Sequence, residues 1–184
     1  MLLATDFSVA DYRAAVADRN GARLVTFLNQ RFTERYLKPA FPESGRNGFT
    51  IIAVCCLMIE SLEVFRNGPR AMKQKKGHEA FEGFFAHYSG FETLVSLAGD
   101  FYGHVRCGIL HKAQTTGSWR IRRDRSPLFD PTTLTIEAER FHSAVSAALI
   151  RYCQDLTVAS WDAPLWVNFR ETMDSMCSTS GVRA

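Results

Sequence analysis

The strongest constraint on the fold is an apolar stretch of sequence between Thr50 and Phe65. Its apolar residues point to nearly every side of a helix, a pattern typical of a helix buried within a domain. The residues Asn67, Gly68 and Pro69 follow directly and form a strong helix stop signal. We therefore predict a central helix over residues 50–65, around which the rest of the chain packs.

Helical periodicity continues on both sides of the central helix. Ser8 is a candidate N-cap, and Asn20-Gly21 predicts a break between two helices within residues 8–40. Further on, Gly99-Asp100 predicts a second break, with Asp100 as the N-cap of a helix over about 101–113. Additional helices are predicted over about residues 78–88, 91–97, 138–156 and 164–177, and a basic connection over 70–77.

The helical pattern changes after residue 117. The segments Trp119–Arg123 and Leu134–Ile136 are strand-like and are separated by turn-forming residues. The predicted fold class is therefore all-α, a bundle of about six helices with a short β-hairpin-like excursion after the helix over 101–113. A single domain is predicted for residues 1–184, with a core at about 20–160, a C-terminal helix at about 164–177 and a frayed tail at 178–184.

Composition limits the cellular setting and the partners. A net charge of +3 over 184 residues does not by itself indicate a nucleic-acid partner. Five cysteines without CxxC spacing predict reduced thiols in an intracellular protein. The N-terminus lacks the pattern of a signal peptide. The longest apolar run, Phe49 to Ile59, is shorter than the roughly 20 residues that span a bilayer. We predict a cytoplasmic protein with no membrane partner.

Arg106 and His111 are the candidate catalytic residues, in the segment RCGILH at residues 106–111. Arginine binds a phosphate through a planar fork of donors, and histidine exchanges a proton near pH 7. On an ideal helix, five positions correspond to about 140° around the axis and about 7.5 Å along it. The two side chains do not share one face of a straight helix. A cleft containing both is most simply formed when two copies of the helix meet.

Two other interpretations of this helix are open. Arg106 can be a surface ion-pair partner, with His111 a polar residue of the last turn whose cationic form the helix dipole favours. Alternatively, His104, Cys107 and His111 recur at i, i+3 and i+7, as metal ligands on one helix face can. His104 and His111 are then about 10.5 Å apart along the axis, too far to share one zinc ion through bonds of about 2 Å. We therefore predict no metal ligand.

Supporting residues are predicted on both sides of the pair. Glu60, in the central helix, is a candidate to hold Arg106 or His111 in place, and His104 and Cys107 flank them within the same helix. Basic clusters bind phosphates without regard to base sequence, and an aromatic ring can stack on an unpaired base. A solvated basic loop is the alternative for each cluster. The candidate RNA-binding residues are Lys112, Trp119, Arg120, Arg122, Arg123 and Arg125, and a second basic cluster comprises Arg70, Lys73, Lys75 and Lys76.

The chain resembles the HEPN superfamily of helical domains. The R-x4-H segment stands late in a helix, within the phrase FYGHVRCGILHKAQTTGSWRI (Phe101 to Ile121), which looks like bacterial members with a strand-like stretch after the motif. The phrase MIESLEVFRNG (Met58 to Gly68), with Glu60, resembles their core helix. The resemblance covers about residues 20–160. It implies an all-α bundle that dimerises with the two motif helices facing each other.

Many HEPN proteins are metal-independent ribonucleases of toxin–antitoxin, anti-phage or RNA-processing systems. The resemblance therefore implies an endoribonuclease without a cofactor, in which Arg106 and His111 are catalytic. His111 would move the proton of the ribose 2′-hydroxyl or of the leaving oxygen, and Arg106 would stabilise the phosphate. The implied partners are RNA, a second copy of the chain and an antitoxin or other regulatory protein.

The residue after the motif arginine distinguishes this chain from many active members of the superfamily. That position is commonly Asn, Asp or His, and here it is Cys107. Inactive members of the superfamily act as nucleotide- or RNA-binding modules. The alternative prediction is therefore a non-catalytic module that binds RNA, a nucleotide or a partner protein through the same cleft.

Overall fold

A computed structural model describes residues 1–40, 47–74, 76–124 and 127–178 of the chain. The structure is 73% helix and 8% strand, which confirms the mainly helical class. The predicted count of about six helices is not confirmed, because the chain forms additional short helical segments. The prediction of a frayed tail lies outside the described residues, apart from Ser178, which is the last residue of a helix.

The central helix, α4, spans Gly48–Asn67 and is longer at both ends than predicted. It packs against two other long helices, α9 (Ala138–Val158) and α10 (Pro164–Ser178). The helix ends where Gly68 adopts a φ of 84°, a left-handed conformation that favours glycine. The predicted role of this segment as the core helix is confirmed by its fully buried side chains: Ile51, Ile52, Cys55, Cys56, Met58, Ile59, Leu62 and Phe65.

The N-terminal segment begins with a short antiparallel pair of strands that the sequence pattern did not predict, β1 (Leu2–Ala4) and β2 (Phe7–Ser8). The predicted cap is confirmed: Ser8 and Asp11 form a reciprocal capping box at the start of α1 (Val9–Ala17). The predicted break is also confirmed, since the Asn20 side chain caps α2 (Gly21–Phe32).

Between α2 and the helix that carries Arg106 and His111, the chain forms further helices. A first π-helical segment, Thr33–Leu37, continues α2 and leads into α3 (Lys38–Ala40). The residues predicted as a basic connection instead form a short helix in the described part, α5 (Pro69–Gln74). The two following elements occupy the predicted positions: α6 (Gly77–His87) and a 3-10 helix (Glu92–Leu97).

The helix that carries the Arg/His motif spans residues 98–112 without a break, and we call it the motif helix. It comprises α7 (Ala98–Asp100), a second π-helical segment (Phe101–Arg106) and α8 (Cys107–Lys112). The predicted break at Asp100 is wrong. Asp100 has helical backbone angles and its side chain caps nothing, because the preceding 3-10 helix leads directly into this helix.

The strand-like segments do not form a hairpin, and that prediction is wrong. β3 (Arg120–Arg122) and β5 (Thr135–Glu137) pair in parallel, with Ile121 opposite Ile136. A third short strand, β4 (Phe129–Asp130), pairs with the other side of β5 in the antiparallel direction. Because β5 lies in the middle of the sheet, its side chains are buried. The strand leads directly into α9.

Candidate functional site

Arg106 forms an ion pair with Glu60 that joins the motif helix to the central helix. The Arg106 Nε lies 3.0 Å from Oε1 of Glu60, and Nη2 donates to Oε2 at 3.2 Å. The side chains are only 21% and 32% exposed. Burial acts to lower the pKa of Arg106, but the hydrogen bond and charge of Glu60 outweigh it and raise that pKa. Arg106 is therefore held as a cation at a fixed position.

Glu60 occupies only one edge of the guanidinium. A guanidinium has five N–H donors, and the carboxylate contacts the edge formed by Nε and Nη2. The other edge, formed by Nη1 and Nη2, contacts no carboxylate among the residues that the structure describes. This end is the one that binds a phosphate through two parallel hydrogen bonds. The ion pair thus orients Arg106 while leaving an anion-binding edge available.

The Tyr102 ring lies against the Arg106 guanidinium, and Tyr102 is a site residue that the sequence analysis missed. The guanidinium carbon lies 5.4 Å from the centre of the Tyr102 ring, which is within the range of cation–π attraction. Phe81 packs on the same ring at 5.7 Å. A Cβ at Gly77 would lie 2.2 Å from the Tyr102 hydroxyl oxygen. The available sequence signal was the i, i+4 spacing of Tyr102 and Arg106, which places both side chains on one helix face.

Cys107 lies beside this group. The side chain is partly buried, and it interacts with both the Tyr102 hydroxyl and the Arg106 guanidinium. Burial, followed by the nearby Cys107, raises the pKa of Tyr102. Burial also raises the pKa of the neighbouring Cys56 thiol well above its usual value. The Tyr102 phenol and the Cys56 thiol near Arg106 are therefore held in their neutral forms.

His111 is exposed in the last turn of the motif helix and has no hydrogen-bond or ion-pair partner among the described residues. The turn ends at Ala113, which has a left-handed φ of 54°. Within one chain the structure does not bring His111 into contact with Arg106. This agrees with the separation of about 140° that their spacing predicts. His111 is free to act on a group outside its own chain.

His104 points away from the Arg106–Glu60 pair. Its Nδ1 lies 2.9 Å from the hydroxyl oxygen of Thr116, and its backbone oxygen accepts a hydrogen bond from the Thr116 N–H at 3.0 Å. The ring packs so closely on Gly117 that a Cβ there would lie 2.6 Å from Nδ1. His104 therefore fixes the loop that follows the motif helix. Across the described ranges, no three His, Cys, Asp or Glu side chains gather as a metal-binding group.

The predicted RNA-binding residues fall into different environments. Lys112 and Arg120 are exposed, and Arg122 makes only a long, exposed contact of 3.6 Å with Asp124. Arg125 lies outside the described residues. Lys112 is the last residue of the motif helix, and Arg120 and Arg122 lie in β3. Of the described candidates, Lys112, Arg120 and Arg122 are therefore the ones available to contact phosphates.

Two of the predicted RNA-binding residues have structural roles instead. Trp119 is 4% exposed and packs between aromatic rings of the core, stacked on Phe129 at 5.2 Å. It is not available to stack on a base, and this prediction is wrong. Arg123 bonds to Glu139 at 2.6 Å and to the Asn47 side chain at 2.6 Å. It therefore ties the sheet to the starts of two helices.

Exposed apolar side chains flank the Arg106–Glu60 pair. Leu110 lies one turn after Arg106 and is 52% exposed, and Leu57 lies one turn before Glu60 and is 42% exposed. At Gly103, one turn before Arg106, an added Cβ would meet no atom within 4 Å. Exposed apolar side chains thus lie one helical turn from each member of the pair. We call the surface formed by Leu57, Glu60, Gly103, Arg106 and Leu110 the motif face.

The comparisons with known proteins leave the family of this chain open. No protein-family model, no curated protein and no solved structure matches it. By length and composition α4 could cross a bilayer, with a mean hydropathy of 1.9 over an 18-residue window. Half of that window is buried inside the structure. A core helix of a globular domain passes the same test, so this feature is a weak indication of a membrane span.

Proposed function

We propose that this chain is a HEPN-type endoribonuclease that cleaves RNA at a composite Arg106/His111 site of a homodimer and needs no metal. The geometry of Arg106 carries the proposal. Glu60 holds one edge of its guanidinium and the Tyr102 ring lies against its face, while no carboxylate of the described residues contacts the edge formed by Nη1 and Nη2. This edge is where we place the phosphate.

The motif face supports the dimer. Leu57 and Leu110 expose apolar surface one helical turn from a partly buried ion pair, and a contact between two motif helices would cover these side chains. Two motif helices packed together would bring the Arg106 of one chain toward the His111 of the other. Such a contact would place an arginine and a histidine together even though the two residues lie on different faces of one helix.

The proposed mechanism uses general acid–base catalysis and electrostatic stabilisation. His111 takes the proton of the ribose 2′-hydroxyl as this oxygen attacks the adjacent phosphorus, and the bond to the 5′-oxygen breaks. The His111 of the other chain can give a proton to that leaving oxygen. Arg106 binds the non-bridging oxygens, where negative charge develops in the transition state. The products carry a 2′,3′-cyclic phosphate and a 5′-hydroxyl, and DNA is not a substrate because it lacks the nucleophile.

Lys112, Arg120 and Arg122 extend the proposed substrate path away from the motif face. Their exposed cations suit phosphates on either side of the scissile bond. A role in a toxin–antitoxin or anti-phage system, with an antitoxin or other regulatory partner, follows from the resemblance to HEPN proteins and is part of the proposal. So is a cytoplasmic location, which rests on the cysteine usage and the N-terminal sequence.

A non-catalytic binding module is the second candidate. The observation that favours it is Cys107, which packs against Tyr102 and Arg106 where active relatives commonly carry a polar side chain. In that case Arg106 would bind a phosphate of RNA, or of a nucleotide, and His111 would be dispensable. A partner protein could use the same cleft.

Cleavage of single-stranded RNA in the presence of EDTA separates the two candidates. The nuclease predicts cleavage by the wild type and a loss of about 100-fold or more in Arg106→Ala and in His111→Ala, with circular dichroism showing that both variants fold. The product ends should be a cyclic phosphate and a 5′-hydroxyl. Binding without cleavage, lost only in Arg106→Ala, would instead support the module. Cleavage by wild type that chelation abolishes would contradict the metal-free mechanism.

A further inference from the structure

A long groove runs between α2 and α9, away from the residues of the motif face. The largest of its three cavities has a volume of about 680 Å³, with Asn29 on one wall and Ser143, Ala147 and Ile150 on the other. Two further cavities of about 290 Å³ each continue it toward the end of α9. Neighbouring cavities share lining residues: Asn29 and Ile150 join the first to the second, and Thr157 joins the second to the third.

The dimensions of the groove match a single helix. Its α9 wall extends from Ser143 to Thr157, about 21 Å at 1.5 Å per residue, which is the length of a helix of about 14 residues. The walls combine small side chains, such as Ser143, with larger ones, such as Leu37. Ile150 is 53% exposed within it and provides an apolar contact near the middle. A groove of this kind binds the apolar stripe of an amphipathic helix.

The charged side chains of the groove have one sign. Lys38 lines one end and Arg19 lines the other, while no carboxylate lines any of the three cavities in the described part of the chain. Asp162 reaches Arg19 at 3.7 Å from outside the groove, in a pair whose side chains are both mostly exposed and which is therefore weak. The positive charges at the two ends of the groove would attract carboxylates of a bound partner.

A second copy of this chain fits the groove poorly. In a twofold contact of groove against groove, the Lys38 end of one copy would face the Arg19 end of the other, and two concave floors would not touch. A contact with a different surface of a second copy would build a ring or an open chain of molecules, which light scattering would detect.

We propose that the groove binds an amphipathic helix of a partner protein that has apolar residues at three- and four-residue spacing and carboxylates near both ends. The proposal does not depend on ribonuclease activity. It requires only that the α2–α9 surface of the folded chain is accessible.

A displayed library of 14-residue helical peptides tests the proposal. The library is selected on the immobilised full chain, and enriched peptides are synthesised for fluorescence anisotropy. We expect enriched sequences with an apolar stripe and acidic ends. Their affinity should fall about tenfold or more in Ile150→Glu and in Ala147→Arg, a change of about 1.4 kcal/mol or more. Replacing the terminal acids with Lys should weaken binding to the wild type. Both protein substitutions are at exposed positions, so thermal unfolding should change little.

Val167→Glu is the matched control, because Val167 is an exposed apolar residue that lines none of these cavities. It should leave peptide affinity unchanged. The proposal is overturned if no peptide is enriched, if enriched peptides bind Ile150→Glu as well as wild type, or if their ends are basic. It is also overturned if Ile150→Glu changes the mass of the protein in light scattering, which would assign the groove to self-association. Loss of RNA binding in Lys38→Glu would assign it to nucleic acid.

Discussion

Glu60 on the central helix contacts Arg106 on the motif helix along one edge of the guanidinium, with a distance of 3.0 Å between Oε1 and Nε. The contact determines where the free edge of Arg106 points. Because Glu60 belongs to the most buried helix of the domain, the orientation of the cation is fixed by the core rather than by a surface loop. This relationship leads to the first prediction.

Removing the Glu60 carboxylate should reduce activity far more than stability. We expect Glu60→Ala to lower the cleavage rate by about 10- to 100-fold, the usual effect of losing a group that orients a functional residue. Because both side chains are partly exposed, the cost to the free energy of unfolding should be about 1 kcal/mol. Single-turnover cleavage and urea unfolding measure the two quantities. Glu60→Gln, which can still accept a hydrogen bond, should retain more activity than Glu60→Ala, and equal losses would contradict a positioning role.

A methyl group at Gly77 should disturb the floor of the site. The Cβ of Gly77→Ala would lie 2.2 Å from the Tyr102 hydroxyl oxygen and 2.4 Å from the adjacent ring carbon. We expect a loss of about 1–3 kcal/mol from this overpacking, and reduced cleavage as Tyr102 shifts under Arg106.

Gly99→Ala is the matched control, since a Cβ at Gly99 meets no atom within 4 Å. Alanine is the better helix former, so this variant should be as stable as the wild type or more stable by up to about 1 kcal/mol. Thermal unfolding of both variants checks the pair. A Gly77→Ala protein as stable as Gly99→Ala would show that Tyr102 does not lie where we describe it.

Trp119 and Arg120 are neighbours in sequence with opposite expected effects. Trp119→Ala should cost about 3–5 kcal/mol of unfolding free energy, because it removes a large buried ring from between Phe101 and Phe129. Arg120→Glu should leave stability nearly unchanged and weaken binding of single-stranded RNA, more strongly at low salt. Urea unfolding and RNA binding by anisotropy distinguish them. Normal stability in Trp119→Ala would contradict its assignment to the core.

Because the folded protein favours the neutral form of His142, the free energy of unfolding should fall in mild acid. Burial lowers the pKa of His142, partly opposed by its contact at 3.1 Å with the backbone oxygen of Leu37. The unfolded chain therefore binds a proton more readily than the folded one. This contribution is complete above the unfolded value of about 6.5 and is lost as the pH falls below it.

His142→Gln keeps a hydrogen-bond donor but cannot titrate in this range. The variant should show a smaller decrease in unfolding free energy than the wild type between about pH 7 and pH 5. Urea midpoints at several pH values measure the difference. Partial burial also lowers the pKa of His87, a mostly exposed residue that provides a comparison. Identical pH profiles for wild type and His142→Gln would show that His142 does not contribute.

The sequence predicted features that depend on local rules. The Ser8 cap, the Asn20 break and the stop at Gly68 all follow from the chemistry of one or two residues, and the structure has each of them. The apolar pattern of the central helix likewise identified the core. Glu60 was a candidate to hold Arg106 or His111 in place, and the structure pairs it with Arg106.

The features that were missed depend on contacts between distant parts of the chain. The parallel pairing of β3 with β5 involves strands of only three residues, and nothing in such short segments distinguishes a hairpin from a crossover. Trp119 stands beside arginines in sequence but packs into the core directly before β3, which its neighbours in sequence do not reveal. Tyr102 lies four positions before Arg106, but its packing against Phe81 and Gly77 involves another helix.

The most direct test of the composite site is to mix two inactive variants, Arg106→Ala and His111→Ala. Neither homodimer contains an arginine and a histidine together. A mixed dimer regains one Arg106/His111 pair across the interface, with water in place of the second His111 as the proton donor to the leaving oxygen. Half of the dimers in a co-expressed one-to-one mixture are mixed, and each has one of the two pairs, so about a quarter of wild-type RNA cleavage is the upper limit of the recovery. Leu110→Glu in both chains should abolish this recovery by preventing the contact. No recovery by mixed dimers, whose formation native mass spectrometry confirms, would contradict a site shared between two chains.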